Sequence, residues 1–259
     1  MSAEPLPTGA ARRLLESVAL AAVMALGFRF PAASGRGWLE AAAALLFPAL
    51  LCASLFRGRR PGWTYLALAL GLVLIFYWMP GTIAAKAPMP YALALVAGAL
   101  FYGYEALGFL LVALGARWAW SRSRPGRRAW AAAGAAGLAM IIWESLAFHV
   151  YAWSWGAPLG GLPWLARAAA FLDTHGLAAL YWACGAWTGA ALAEGRRPRR
   201  ILAGPAALLL VLLALGGLWR LLPRGPAHRL DVVMIQPDFP AGVRRHISAS
   251  MPGRRSPAG

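Results

Sequence analysis

The chain has 259 residues, of which 60% are hydrophobic and 13% charged, with a formal net charge of +16. An ordinary soluble domain is about 25% charged, so a water-soluble fold for most of this chain is excluded. The basic residues fall mostly in short runs between apolar stretches, a distribution that excludes a nucleic-acid surface and predicts loop charges that orient membrane helices.

Seven hydrophobic segments follow one another. The first, residues 14–28, is short for a span, which takes about 20 residues. It is bounded by Arg12, Arg13 and Arg29, and its basic start and short apolar core also fit a signal peptide. The others cover residues 38–56, 63–79, 91–116, 129–150, 168–193 and 201–222. Backbone groups in lipid must be paired within their own segment, and these Ala/Leu-rich runs lack the alternation of barrel strands. The predicted fold class is an all-α polytopic membrane protein with about seven transmembrane helices. No internal repeat supports an inverted-repeat transporter. Cys52 and Cys184 both lie in apolar helices, so buried thiols are predicted and no disulfide framework is implied.

Arginine sets the expected topology. Arg12/Arg13, then Arg57/Arg59/Arg60, then the run from Arg117 to Arg128, then Arg196/Arg197/Arg199/Arg200 hold fourteen of the 25 basic residues, all on alternate loops. The intervening loops hold only Arg29, Arg36, Lys86 and Arg167. The N-terminus is thus expected in the cytoplasm and the tail after residue 222 outside it, although Arg220, Arg224, Arg229, Arg244, Arg245, Arg254 and Arg255 then fall near or beyond the outer face.

Between the fifth and sixth segments the outward loop Tyr151-Ala152-Trp153-Ser154-Trp155-Gly156-Ala157-Pro158-Leu159-Gly160-Gly161-Leu162-Pro163-Trp164 is rich in Trp, Pro and Gly. Trp rings prefer the headgroup layer, so Trp153 and Trp155 read either as interfacial anchors or as a lipid-facing lip that admits an acyl chain. Charge inside a segment is costly and usually kept for a use, and Glu105, Glu144, Asp173 and His175 stand out on that ground. Glu144, Asp173 and His175 lie toward the outer side and are placed to cluster beneath that loop, while Glu105, near the middle of the fourth segment, is expected too deep to join them. For each, a protonated or hydrogen-bonded structural group stands beside the functional reading.

Site chemistry alone goes no further. The histidines at 149, 175, 228 and 246 are too scattered for a zinc site, no metal or cofactor is expected, and no Gly-rich phosphate loop follows a strand.

The order of features resembles the N-terminal membrane domain of the apolipoprotein N-acyltransferase family. The carriers are Gly27-Phe28-Arg29-Phe30-Pro31 leading to Trp38 and Leu46-Phe47-Pro48, Tyr77-Trp78 closing the third segment, Trp143-Glu144, and Trp153-Ser154-Trp155-Gly156. Ser145 and Ala147 replace a Trp and an Arg of the family's Trp-x-x-x-Glu-Trp-Leu-Arg pattern, and Asp173-Thr174-His175-Gly176 departs from its Gly-Val-x-Gly-like helix start. Val232-Val233-Met234-Ile235-Gln236-Pro237-Asp238-Phe239-Pro240 is similar to the opening strand of the family's nitrilase-like domain. The likeness implies a transmembrane domain over 1–222, the start of a nitrilase-like domain over 223–240 and a disordered, possibly frameshifted tail over 241–259. It implies transfer of an acyl chain from a membrane phospholipid to the N-terminal cysteine of a diacylglyceryl lipoprotein, in the bacterial cytoplasmic (inner) membrane. Trp78, Glu144, Trp153, Trp155, Gly156, Asp173 and His175 become candidates for substrate entry. That family forms a thioester on a Cys assisted by Glu and Lys. No such set follows Pro240, so this chain is expected to be inactive alone. Two other readings stay open: a permease using Glu105, and the membrane subunit of a split acyltransferase that docks a separately encoded nitrilase-like domain.

Overall fold

The computed structural model describes residues 8–28, 37–87, 89–147, 154–156 and 167–221. They form α1 (Thr8–Phe28), α2 (Gly37–Phe56), α3 (Pro61–Ile75), α4 (Met79–Lys86), α5 (Tyr91–Arg122), α6 (Arg128–Leu146), α7 (Ala169–Ala193) and α8 (Pro198–Leu221), with no strand among the described residues. The expected strand within 223–240, the tail 241–259 and Trp153 lie outside the described residues.

This is a helical membrane protein, and three or four spans are clear among the described residues. α5, α6 and α8 are long and apolar enough to cross a bilayer, and α3 with α4 makes a fourth candidate if the bent pair is one span. Two other helices carry polar or small residues inside them: α1 has Arg12, Arg13 and Glu16 in its first half, and α7 spends interior positions on Tyr181, Trp182, Gly185 and Gly189.

Proline explains the bend. Pro80 has no N–H to offer the carbonyl one turn back, which is that of Phe76, and the chain turns by 59° between α3 and α4. The Phe76 carbonyl is served instead by the Tyr102 hydroxyl of α5 at 2.7 Å and by the Met79 N–H at 2.9 Å. The helix α3 thus ends at Ile75, just before Tyr77-Trp78, and α4 follows after the bend.

Small residues set the crossings, the packing that holds helices together in lipid, where apolar burial gives no driving force. A Cβ at Gly185 of α7 would lie 2.6 Å from the ring of Pro48, and one at Gly189 would lie 2.7 Å from the Ala49 carbonyl oxygen, so α7 and α2 touch almost backbone to backbone. At the centre, Phe47 of α2, Phe109 of α5 and Trp182 of α7 pack on one another, with Phe109 and Trp182 stacked at 5.4 Å.

The bundle has two unlike ends. At one, Arg57 donates to the Leu192 carbonyl at 2.7 Å, Arg59 reaches the Ser17 hydroxyl, and Phe56 stacks on Trp120 at 5.2 Å. These contacts gather the start of α1 and the α2–α3, α5–α6 and α7–α8 connections into one arginine-rich end. At the other, α6 finishes and α7 begins.

Candidate functional site

At this second end, the described piece Ser154–Gly156 dips into the bundle between α5, α6 and α7. Trp155 is fully buried, 0% exposed. Its ring meets Phe109 at 4.0 Å and Phe28 at 5.0 Å, both edge-on, a geometry that aromatic quadrupoles favour. The expected interfacial or lipid-facing position is therefore not the one Trp155 takes; it extends the aromatic core.

Two carboxyl groups hold this tryptophan. Its backbone N–H donates to Oε1 of Glu144 at 2.7 Å, and its indole N–H donates to Oε2 of Glu105 at 3.3 Å. Glu105 is 1% exposed and Glu144 3%. The expected depth of Glu105 set it apart from the outer cluster; Trp155 joins the two, meeting Glu144 with its backbone N–H and Glu105 with its indole N–H. A carboxyl oxygen buried without a donor is expensive, and each acid here meets a donor that the loop brings in.

Glycine and serine lock the piece in place. A Cβ at Gly156 would lie 2.5 Å from the Thr174 carbonyl oxygen and 3.0 Å from the Ala178 nitrogen, so only glycine lets the loop press onto α7. The Ser154 hydroxyl donates to the Thr174 carbonyl at 3.3 Å and accepts the Gly156 N–H at 3.1 Å. Sequence reading assigned no site role to Ser154, Thr174, Phe28 or Phe109, the first three of which lie in motifs compared with the family. Only Ser154 left a signal, since a serine two residues before a turn glycine commonly closes such a turn.

Asp173 and His175 border the site from α7. Asp173 breaks that helix with φ 59° and ψ 175°, a conformation that L residues rarely adopt. Its Oδ1 accepts the Thr174 N–H and the Thr174 hydroxyl, the latter at 2.9 Å, so it caps the long part of α7. His175, 42% exposed at its side chain, places Nε2 3.7 Å from Oε2 of Glu144 and pairs with it when protonated. Trp78 stands apart from this machinery, at the α3–α4 break against Phe76.

Beside the site an apolar groove of about 380 Å³ runs between α5 and α6, lined by Leu111, Val112, Ala139, Ile142, Trp143 and Leu146 among others. Gly108 forms its wall, because the Trp143 ring occupies the space that a Cβ there would fill. The Trp143 indole N–H is buried and has no hydrogen-bond partner among the described residues. No cluster of metal-ligating side chains occurs among the described residues. With this geometry in hand, comparison with known proteins adds no relative: no family, curated protein or solved structure matches the chain.

Proposed function

We propose that this chain is the lipid-handling membrane part of a lipoprotein N-acylation system of the apolipoprotein N-acyltransferase kind, with seven crossings and its N-terminus in the cytoplasm of a bacterium. One observation carries the reading. The groove between α5 and α6 ends at the same helix end as the Trp155 assembly, and both helices are apolar enough to cross a membrane. In this reading an acyl chain of a membrane phospholipid lies along Leu111, Val112 and Ala139. The Trp155 assembly keeps the neighbouring helix ends in register for the diacylglyceryl lipoprotein to approach. Trp153, Asp173, His175 and Trp78 remain candidates for that approach.

The thioester chemistry of that family is assigned to a nitrilase-like domain, whether it continues this chain or is encoded separately. Cys52 and Cys184 do not serve it, because both are buried in the helical core. Purified protein in nanodiscs with a photoactivatable phosphatidylethanolamine should be labelled on α5 and α6 around Gly108 and Trp143, with no acyl-thioester on either cysteine. Label spread evenly over the lipid-facing helices would remove the acyl-groove reading, and a labelled cysteine would overturn the assignment of the chemistry.

A permease reading has one observation in its favour, the burial of Glu105 within the candidate span α5. Since Glu105 accepts the Trp155 indole, Glu105→Gln should loosen the Trp155 assembly in the lipid-handling reading. Loss of solute flux in that variant with unchanged stability would favour the permease.

A further inference from the structure

The arginine-rich end carries more charge than its internal contacts use. Beside α6 and α8, Arg124, Arg127, Arg197, Arg199 and Arg200 are all exposed. None of the five is paired with a carboxylate among the described residues. Glu194, the acid next to them in the chain, is already held by Arg196 at 2.5 Å.

The placement of these arginines is electrostatically unfavourable as it stands. A helix start carries roughly half a positive charge and is stabilised by acids, not bases. Yet neither α6 nor α8 has an acid in its first turn, and Arg127 at the cap of α6 makes no side-chain capping bond. Arg127 and Arg128 sit on the start of α6, and Arg199 and Arg200 on that of α8. Cation is set against positive helix end twice, on the two helices that flank α7.

A tryptophan shelf lies just inside this charge. Trp187 of α7 meets Trp130 of α6 edge-on at 4.2 Å and closes against Gly204 of α8, where a Cβ would come within 2.7 Å of its ring. Trp130 is 68% exposed. Exposed indoles favour the glycerol and headgroup depth of a bilayer, which sets the arginines at the level of the phosphates.

We propose that this surface, from the start of α6 across Trp187 to the start of α8, docks the headgroups of anionic phospholipid. The phosphodiester accepts from the Arg197, Arg199 and Arg200 side chains, and its charge relieves the repulsion between those arginines and the two helix starts. Charge complementarity and the depth set by the indoles favour a lipid over a nucleic acid, which would meet the same arginines without a membrane plane to match the shelf.

The test uses the full chain purified in a zwitterionic detergent, titrated with phosphatidylglycerol, phosphatidylcholine or glycerol 3-phosphate and followed by native mass spectrometry and thermal unfolding. Phosphatidylglycerol should bind and raise the melting temperature; the other two should do neither at the same concentrations. An arginine close to an anionic surface is worth roughly a factor of five, so R197Q/R199Q/R200Q should lose about a hundredfold in phosphatidylglycerol affinity. R12Q/R13Q, which removes charge from another part of the same end, should keep wild-type affinity. Helix content by circular dichroism should be unchanged in both variants. Equal response to phosphatidylcholine, equal response to glycerol 3-phosphate, or equal loss in the two variants would each overturn the proposal.

Discussion

The two ends of the bundle solve the same problem with opposite kinds of side chain. At the arginine-rich end, cations reach across connections: Arg57 to the Leu192 carbonyl and Arg59 to Ser17, the Arg13 carbonyl and, at 3.9 Å, Glu16. At the other end, acids stay buried and the loop comes to them, Glu144 and Glu105 receiving the two N–H groups of Trp155. A guanidinium on a long stem can hold a neighbour while staying near water, as the exposed Arg57 does. A glutamate inside the bundle cannot, so its hydrogen-bond partners must be delivered. The arginine end should therefore tolerate loss of a partner, and the glutamate end should not.

The largest expected effect is at Trp155. Trp155→Ala empties a core position, at a cost of about 3–5 kcal/mol for a buried tryptophan, and deprives Glu105 of the indole N–H. Trp155→Phe keeps most of the ring but removes that donor, so it should cost about 1–3 kcal/mol. Denaturant unfolding in detergent micelles reads both. If Trp155→Phe keeps wild-type stability, the Glu105 contact contributes nothing and the comparison between the ends fails.

How far the sequence foretold this pairing depends on the kind of residue. The apolar segments at 91–116 and 129–150 correspond to Tyr91–Arg122 and Arg128–Leu146, because a long Ala/Leu run is both lipid-compatible and helix-forming. The end of α5 was missed by one and a half turns, since Arg117 to Arg122 are polar enough to mark a membrane boundary yet continue as helix. Glu105 and Trp155 were each noticed, but not together. Depth along a segment says where a side chain starts, not which loop folds down to meet it. The aromatic floor of Phe28 and Phe109 was illegible because phenylalanine in an apolar helix faces lipid or core with equal ease.

Arg59 gives the intermediate effect and tests the other half of the comparison. Its side chain is mostly buried, which lowers its pKa from the ordinary arginine value, with Glu16 partly offsetting the shift. Arg59→Ala removes the bond to Ser17 and the ion pair with Glu16. Hydrogen bonds to a charged group are worth about 1.5–3 kcal/mol, so a loss of about 2 kcal/mol is expected, read by the same unfolding experiment. The start of α1 should also become more accessible, seen as faster hydrogen exchange over residues 12–20. A loss as large as that of Trp155→Ala would erase the distinction between the ends.

Asp173 should give the smallest effect and the finest discrimination, because one residue there carries two opposing contributions. Its positive φ costs about 1–3 kcal/mol for a side-chain-bearing residue, and its cap on Thr174 returns about 1 kcal/mol. Asp173→Ala keeps the strained backbone and loses the cap, so it should destabilise by about 1 kcal/mol. Asp173→Gly loses the same cap but adopts that φ freely, so the two changes nearly cancel and its unfolding midpoint should stay close to wild type. The glycine variant should therefore be the more stable of the two even though glycine is the poorer helix former. The reverse order would mean that the α7 break relaxes once the cap is gone. The glutamate end would then be held by Trp155 alone, with α7 following the loop rather than receiving it.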